Sequence, residues 1–239
     1  MFATPIRRPA LPFTDSLPVK RPYGVAAALA ALAIGFNLPY ARLAVIFDYP
    51  GILRQPAEEI LQAFAAGGAG LVLTWYAFAL AALLFVPIGM AHALAAKRAQ
   101  AQTALAIAAA MAGALAGVLQ AMGLLRWVMV VPGLAATGDV EGFTLLHAFA
   151  GVAVGEHLGQ LLTALHVALV AQMQLTERAP RTAFLGRLTA GAITVGAFEG
   201  VVLSIGADGS AFGLVAVAGY LGLTVWMMAS ARHLMRQRW

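Results

Sequence analysis

Cysteine is absent from this 239-residue chain, and charge is scarce, with Asp, Glu, Lys and Arg together making up 10%. The first absence excludes disulfides, thiolate metal sites and a cysteine nucleophile. The second excludes an ordinary soluble domain, in which about 25% of residues are charged. Between Arg126 and Arg178 there is no lysine or arginine at all. What fills the space is apolar: 62% of residues are hydrophobic and the mean hydropathy is +0.85. The apolar runs use nearly the whole length, so the chain reads as an integral membrane protein with no large extramembrane domain. Its formal charge of +5 requires no nucleic-acid partner. The basic residues sit at helix ends, where membrane topology places them.

Residues 1–22 contain Pro5, Pro9, Pro12, Pro18 and Pro22 together with Arg7, Arg8, Lys20 and Arg21, and read as an irregular cytoplasmic tail. The rest, 23–239, reads as one transmembrane domain. A helix needs about 20 apolar residues to cross a hydrocarbon core of roughly 30 Å. Six such spans are expected, at 23–47, 69–95, 101–131, 154–175, 184–206 and 210–234. The fold class is therefore an all-α polytopic bundle. Lys97 and Arg98, then Arg178, Arg181 and Arg187, then Arg232, Arg236 and Arg238 fall in the tail-side loops and terminus. Asp48, Glu58, Glu59, Asp139, Glu141 and Asp208 fall in the alternate loops, where Arg54 is the one clear basic exception. By the positive-inside rule both termini are cytoplasmic.

Two outer connections carry structural signals. Asp48-Tyr49-Pro50-Gly51 is a turn signal, and Pro56-Ala57-Glu58-Glu59 opens a helix with proline and acids in its first turn. Ile60, Leu61 and Phe64 follow at helical spacing, which predicts a short helix on the outer interface. Between Pro132 and Gly151, the residues Leu145, Leu146 and Phe149 predict a similar cap. An unbroken helix from Phe143 to Leu175 would measure about 50 Å. That exceeds the bilayer, so the His147 region must project outward or bend. Glycines at four-residue spacing (113 and 117; 151, 155 and 159; 196 and 200) offer close-packing faces, and the fourth and fifth spans are expected to meet there.

Ionisable groups inside apolar helices are costly and count by default as functional candidates. Glu199 lies about 18 Å up the fifth span if that helix is continuous from Arg187. It reads as a proton- or cation-binding carboxylate, or as a neutral acid hydrogen-bonded between helices. His166 is central in the fourth span, suited to a ligand, proton-carrier or packing role. Glu156, Gln160, Thr163 and His166 form a polar stripe at helical spacing, able to line a cavity descending from the outer surface. The alternative for Glu156 is simply an acid at a helix start. His157 is adjacent and points elsewhere. Arg126 either reaches to the outer interface or serves as counter-charge to Glu156 or Glu199. Arg42, near Asn37, Pro39 and Tyr40, sits at similar depth. The tryptophans and tyrosines suit interfacial belts or core packing.

These residues leave three function classes open. The first is an outward-facing polar pocket, built from Arg42, Arg126, Glu156, His157, Gln160, His166 and Glu199, that binds or transports a small molecule or ion. The second is a redox or metal protein, with haem held by His166 and either His147 or His157, or with a divalent metal on His147, His157 and His166. The third is an accessory or signalling subunit, homo-oligomeric or bound to a partner helix. No HExxH spacing supports an intramembrane hydrolase.

The strings FDYPGILRQPAEEILQAFAAGGAGLVLTWYAFALAALLFVP (47–87) and GVAVGEHLGQLL (151–162) resemble a bacterial family of multi-pass membrane proteins, the domain of unknown function numbered four-three-eight-six. The resemblance implies a compact helical bundle in the bacterial cytoplasmic membrane. It brings no ligand or activity with it.

Overall fold

The computed structural model describes residues 22–236. The irregular tail expected before residue 22 lies outside them, as does Trp239. Among the described residues the chain is helical throughout, with no strand. Its elements are α1 (Tyr23–Ile46), a 3₁₀ turn (Gly51–Arg54), α2 (Ala57–Leu94), α3 (Arg98–Ala101), α4 (Thr103–Met129), α5 (Val131–Thr137) and α6 (Val140–Leu146). A π-helical stretch (His147–Leu158) follows, then α7 (Gly159–Thr176), α8 (Pro180–Gly196), α9 (Glu199–Ser204) and α10 (Ser210–Arg236). Among the described residues six helical stretches are long and apolar enough to cross a membrane, and the protein is a multi-pass membrane protein.

Each spanning helix packs on the next in the chain, and α10 returns to pack on α1, closing the six into a ring. The order follows from short connections, which keep successive antiparallel helices adjacent. Close approach rests on small residues. A Cβ at Gly117 of α4 would lie 2.9 Å from the Ala82 carbonyl oxygen of α2. One at Gly196 of α8 would lie 2.6 Å from Ala216 Cα of α10. One half of the ring interior is filled by alanine, Leu29, Val167, Met173 and Trp226. The other half ends in an aromatic cluster of Phe47, Phe64, Trp75, Trp127 and Phe143. Outward-facing Leu38, Val45, Leu73 and Phe184 are exposed, as a lipid-facing surface requires.

The helix boundaries agree with the sequence reading at four spans and differ instructively at two. Helix α2 begins at Ala57 but breaks at Gly68, where φ is 56° and ψ is −158°. That backbone is open essentially to glycine alone, and it separates the expected outer segment from the expected span. The fourth span does not start near residue 154. It runs helically from Val140 to Thr176, capped by the Asp139 carboxylate accepting from Gly142 N–H. Glu156 therefore lies inside a continuous helix and does not begin one. The fifth span is not continuous either: α8 stops at Gly196, and Glu199 is the first residue of α9. Its carboxylate sits at a helix start, where the macrodipole favours an acid.

The glycines of the fourth span meet α4, not the fifth span. A Cβ at Gly155 would lie 3.2 Å from Gly123 Cα, one at Gly159 would lie 2.9 Å from Gln120 Cγ, and one at Gly151 would lie 2.7 Å from Arg126 Nη2. Of these glycines, Gly200 carries the expected contact between the two spans, with a Cβ there 2.4 Å from Val152 Cγ1.

Candidate functional site

Inside the ring, towards the end that carries the 48–56 connection, lies a cavity of about 460 Å³. Helix α1 contributes Phe36, Asn37 and Tyr40, α2 contributes Trp75 and Phe78, and α4 contributes Gln120, Arg126 and Trp127. Glu156, Gln160 and Glu199 close one side, while Tyr220 and Thr224 of α10 close another. The wall is mostly aromatic and aliphatic, with polar groups concentrated at a few points, the usual make-up of a small-molecule site.

Arg54 is the charged centre of this site. Its Nε donates to Glu199 Oε1 at 2.9 Å and its Nη2 donates to Glu156 Oε2 at 2.9 Å. The guanidinium presents its N–H groups in a planar fork, so one side chain can clamp two carboxylates at once. The clamp joins the 3₁₀ turn, the π-helical stretch and α9 over the mouth of the cavity. Side-chain exposures of 31% for Arg54, 25% for Glu156 and 14% for Glu199 place it at a rim rather than in the interior. Burial pulls the Arg54 pKa down, but the hydrogen bond to Glu199 and the charge of Glu156 outweigh it and hold the guanidinium above its usual value. Tyr49, in the same connection, is pushed up by burial and further by the Glu156 charge.

Arg126 is buried, with 6% of its surface exposed, and does not reach to the interface. It is not the direct counter-charge of either glutamate, since Arg54 takes that role. Its Nη1 donates to the Gly123 carbonyl, its Nη2 lies 3.4 Å from His147 Nδ1, and its Cζ sits 5.0 Å from the centre of the Trp127 ring. Gly151 makes the room for this guanidinium, because any side chain there would collide with it.

The remaining candidates divide. Gln160 lines the cavity beside Glu156. Thr163 turns away to α4, accepting from Gln120 Nε2 at 2.7 Å, and the same amide donates to the Tyr220 hydroxyl at 3.0 Å. The polar stripe thus reaches the cavity over its upper turn only. It was phased as a 3.6-residue helix, whereas Glu156 sits in a wider π-helical turn. Arg42 is exposed, lies against Gly70 of α2 and is not part of the cavity wall.

The histidines are dispersed. His157 Nδ1 lies 2.7 Å from the Ala197 carbonyl oxygen, with its ring against Phe198. His147 stacks on Phe143. His166 is fully buried deeper in the bundle, its Nδ1 2.8 Å from the Ala109 carbonyl oxygen, among Phe85, His92 and Trp226. His166 therefore does not share the cavity with Glu199, and it does not face His147 or His157. Among the described residues no group of three or more His, Asp or Glu side chains is placed to hold a metal ion.

A second polar cluster sits at the opposite end of the bundle. Arg98, only 1% exposed, donates to Glu177 through Nε at 2.6 Å and Nη2 at 2.9 Å, and to the His92 carbonyl at 2.6 Å. His233 Nε2 lies 2.9 Å from the other face of Glu177. Burial raises the Glu177 pKa, but the hydrogen bonds from Arg98 and His233 outweigh it and hold the carboxyl below its ordinary value. This cluster ties α3, α7 and α10 together and belongs to the scaffold.

Several groups of the cavity were invisible as site residues in the sequence, among them Arg54, Tyr49, Trp75 and Trp127. Arg54 did leave a trace, as the single basic exception in the acidic loops. The aromatics left none, because a tryptophan in a membrane helix reads equally well as belt or core. No curated protein and no solved structure matches the chain. Residues 24–230 match the family described as domain of unknown function (DUF4386), and the chain belongs to that family.

Proposed function

We propose that this protein is a membrane-embedded binding protein for a small, largely apolar molecule, which it holds in the central cavity beneath the Arg54–Glu156–Glu199 clamp. The observation that carries this reading is the cavity itself: about 460 Å³, walled by aromatic rings and bounded by charged groups brought from four separate elements. A drug-sized ligand fits cavities of roughly 300–1,000 Å³. The scarcity of basic residues in the loops at this end supports an orientation with the mouth on the non-cytoplasmic side of the bacterial cytoplasmic membrane.

Binding is favoured over transport because the other half of the ring interior is packed solid with alanine, Leu29, Val167 and Trp226. A partner-helix role for the Glu156 and Gln160 stripe has less support, since both line the interior of the ring. A haem or metal role for His166 with His147 or His157 has less again, since their rings are bonded to separate partners.

The test is native mass spectrometry of the protein released from nanodiscs. A bound small molecule is expected in the wild type and should be lost in Val217→Trp, which fills the cavity from α10. A wild type free of bound molecules that also takes up none from a panel of apolar solutes would refute the reading. Uptake of any such solute into proteoliposomes would promote transport above binding.

A further inference from the structure

The cavity contains two strong hydrogen-bond donors that lack acceptors. Arg126 Nε and Trp75 Nε1 are both buried, both belong to cavity-lining residues, and neither has a partner among the described residues. Trp75 is fully buried and stacks on Trp127 at 4.9 Å between ring centres, while the Arg126 guanidinium lies against the same Trp127 ring. The two donor side chains therefore flank one aromatic ring in the wall of the cavity. Burying a polar N–H without an acceptor is costly, and burying a charge without a counter-charge is more so.

The charge count at this corner points the same way. Arg54 is already shared by Glu156 and Glu199 at 2.9 Å each, so that trio satisfies its own cation. Its excess negative charge sits at the rim, where solvent screens it. Arg126 is deeper and meets only a backbone carbonyl and an imidazole nitrogen. It is the one strongly buried cation of the cavity without a carboxylate against it. Planar guanidinium groups pair with carboxylates through two parallel hydrogen bonds.

Resting on the binding reading above, we infer that the ligand is a single-chain amphipathic acid, with its anionic head on Arg126 and Trp75 and its apolar chain along the aromatic wall. The volume, about 460 Å³, is that of one drug-sized body. Buried Gln160, whose Oε1 is also without a partner, marks a point further along the wall where a hydrogen-bond donor on the ligand would be held.

The experiment measures binding of decanoate, decanol and decyltrimethylammonium to the full chain in amphipol, by equilibrium dialysis against empty amphipol. The three probes share a chain and differ in head charge. Decanoate is expected to bind at least tenfold more tightly than the other two, as one charge-assisted contact implies. Arg126→Gln should abolish that preference, bringing decanoate to the affinity of decanol in the same variant. Trp75→Phe, which keeps the aromatic stack and removes only the donor, should weaken decanoate selectively by a smaller factor. Equal binding of all three probes by the wild type would overturn the anionic head and leave the pocket standing. An undiminished decanoate preference in both variants would overturn the placement of the head on Arg126 and Trp75. Failure of all three probes to bind would overturn the pocket reading as well. Lipid mass spectrometry of the native extract then distinguishes a free fatty acid, with its carboxylate, from a lysophospholipid, which carries a phosphate on the same single chain.

Discussion

Replacing Arg54 tests the clamp most directly. Arg54→Gln removes the cation that Glu156 and Glu199 share at 2.9 Å each and leaves two carboxylates facing one another at the cavity mouth. Fully exposed ion pairs contribute about 0.2–1 kcal/mol, and losing one partner of a fully buried pair costs about 3–5 kcal/mol. With Arg54 31% exposed and Glu199 14%, the site falls between these limits, and a loss of about 2 kcal/mol is expected for the two contacts together. For a chain of this length that corresponds to a fall in Tm of roughly 4–8 °C. Thermal unfolding in nanodiscs, followed by intrinsic tryptophan fluorescence, measures it. Arg54→Lys should fall between wild type and Arg54→Gln, since an ammonium cannot reproduce the two-pronged contact. A double-mutant cycle with Glu199→Gln isolates the pair and should give a coupling of about 1 kcal/mol. Additivity within about 0.5 kcal/mol would show that the clamp carries no energy and refute its role as the closure of the site.

Three further outcomes follow from the geometry. Glu177→Gln leaves Arg98 buried without its carboxylate and should destabilise the protein by about 3–5 kcal/mol. Because the Glu177 pKa is depressed in the folded state, its contribution is complete above its ordinary value of 4.5 and is lost as pH falls through the lowered one. The wild-type Tm should therefore drop in that acid window by more than that of the variant, and parallel pH profiles would contradict the assignment. Gly123→Ala places a Cβ 2.9 Å from Gly155 Cα and should cost about 1–3 kcal/mol, whereas Gly191→Ala, with nothing within 4 Å, should be neutral or slightly stabilising; denaturation curves of the two variants check the contrast. Arg42→Ala should leave decanoate affinity within about twofold of wild type, since an exposed charge outside the cavity adds little.

Much of the architecture was legible in the chain because membrane insertion is a local constraint. Length and hydropathy of a single segment decide whether it spans, and the loop charges decide which way. The outer segment followed from Pro56, the acids after it and the spacing of Ile60, Leu61 and Phe64, and the structure ends it at the Gly68 break. The start of the fourth span was misplaced for the opposite reason. Glycines and short polar residues between 138 and 159 weaken the apolar signal, while packing of Gly151, Gly155 and Gly159 against α4 keeps that stretch helical. The early stop of α8 at Gly196 carried no local signal that the sequence reading detected.

The sequence by itself determined that six helices are long and apolar enough to cross a membrane, and it put Arg42, Arg126, Glu156, His157 and Glu199 together in the outer half of them. Only the tertiary structure decided which of these share a cavity. The clamp joins Arg54 to partners 102 and 145 residues away, a pairing no spacing rule encodes. The same closure of α10 onto α1 brings aromatic walls around Arg126, leaves Arg42 outside and seats His166 deeper, away from Glu199. Helix phase tells which residues share a face, but which faces meet depends on how the ring closes, and that is a property of all six helices together.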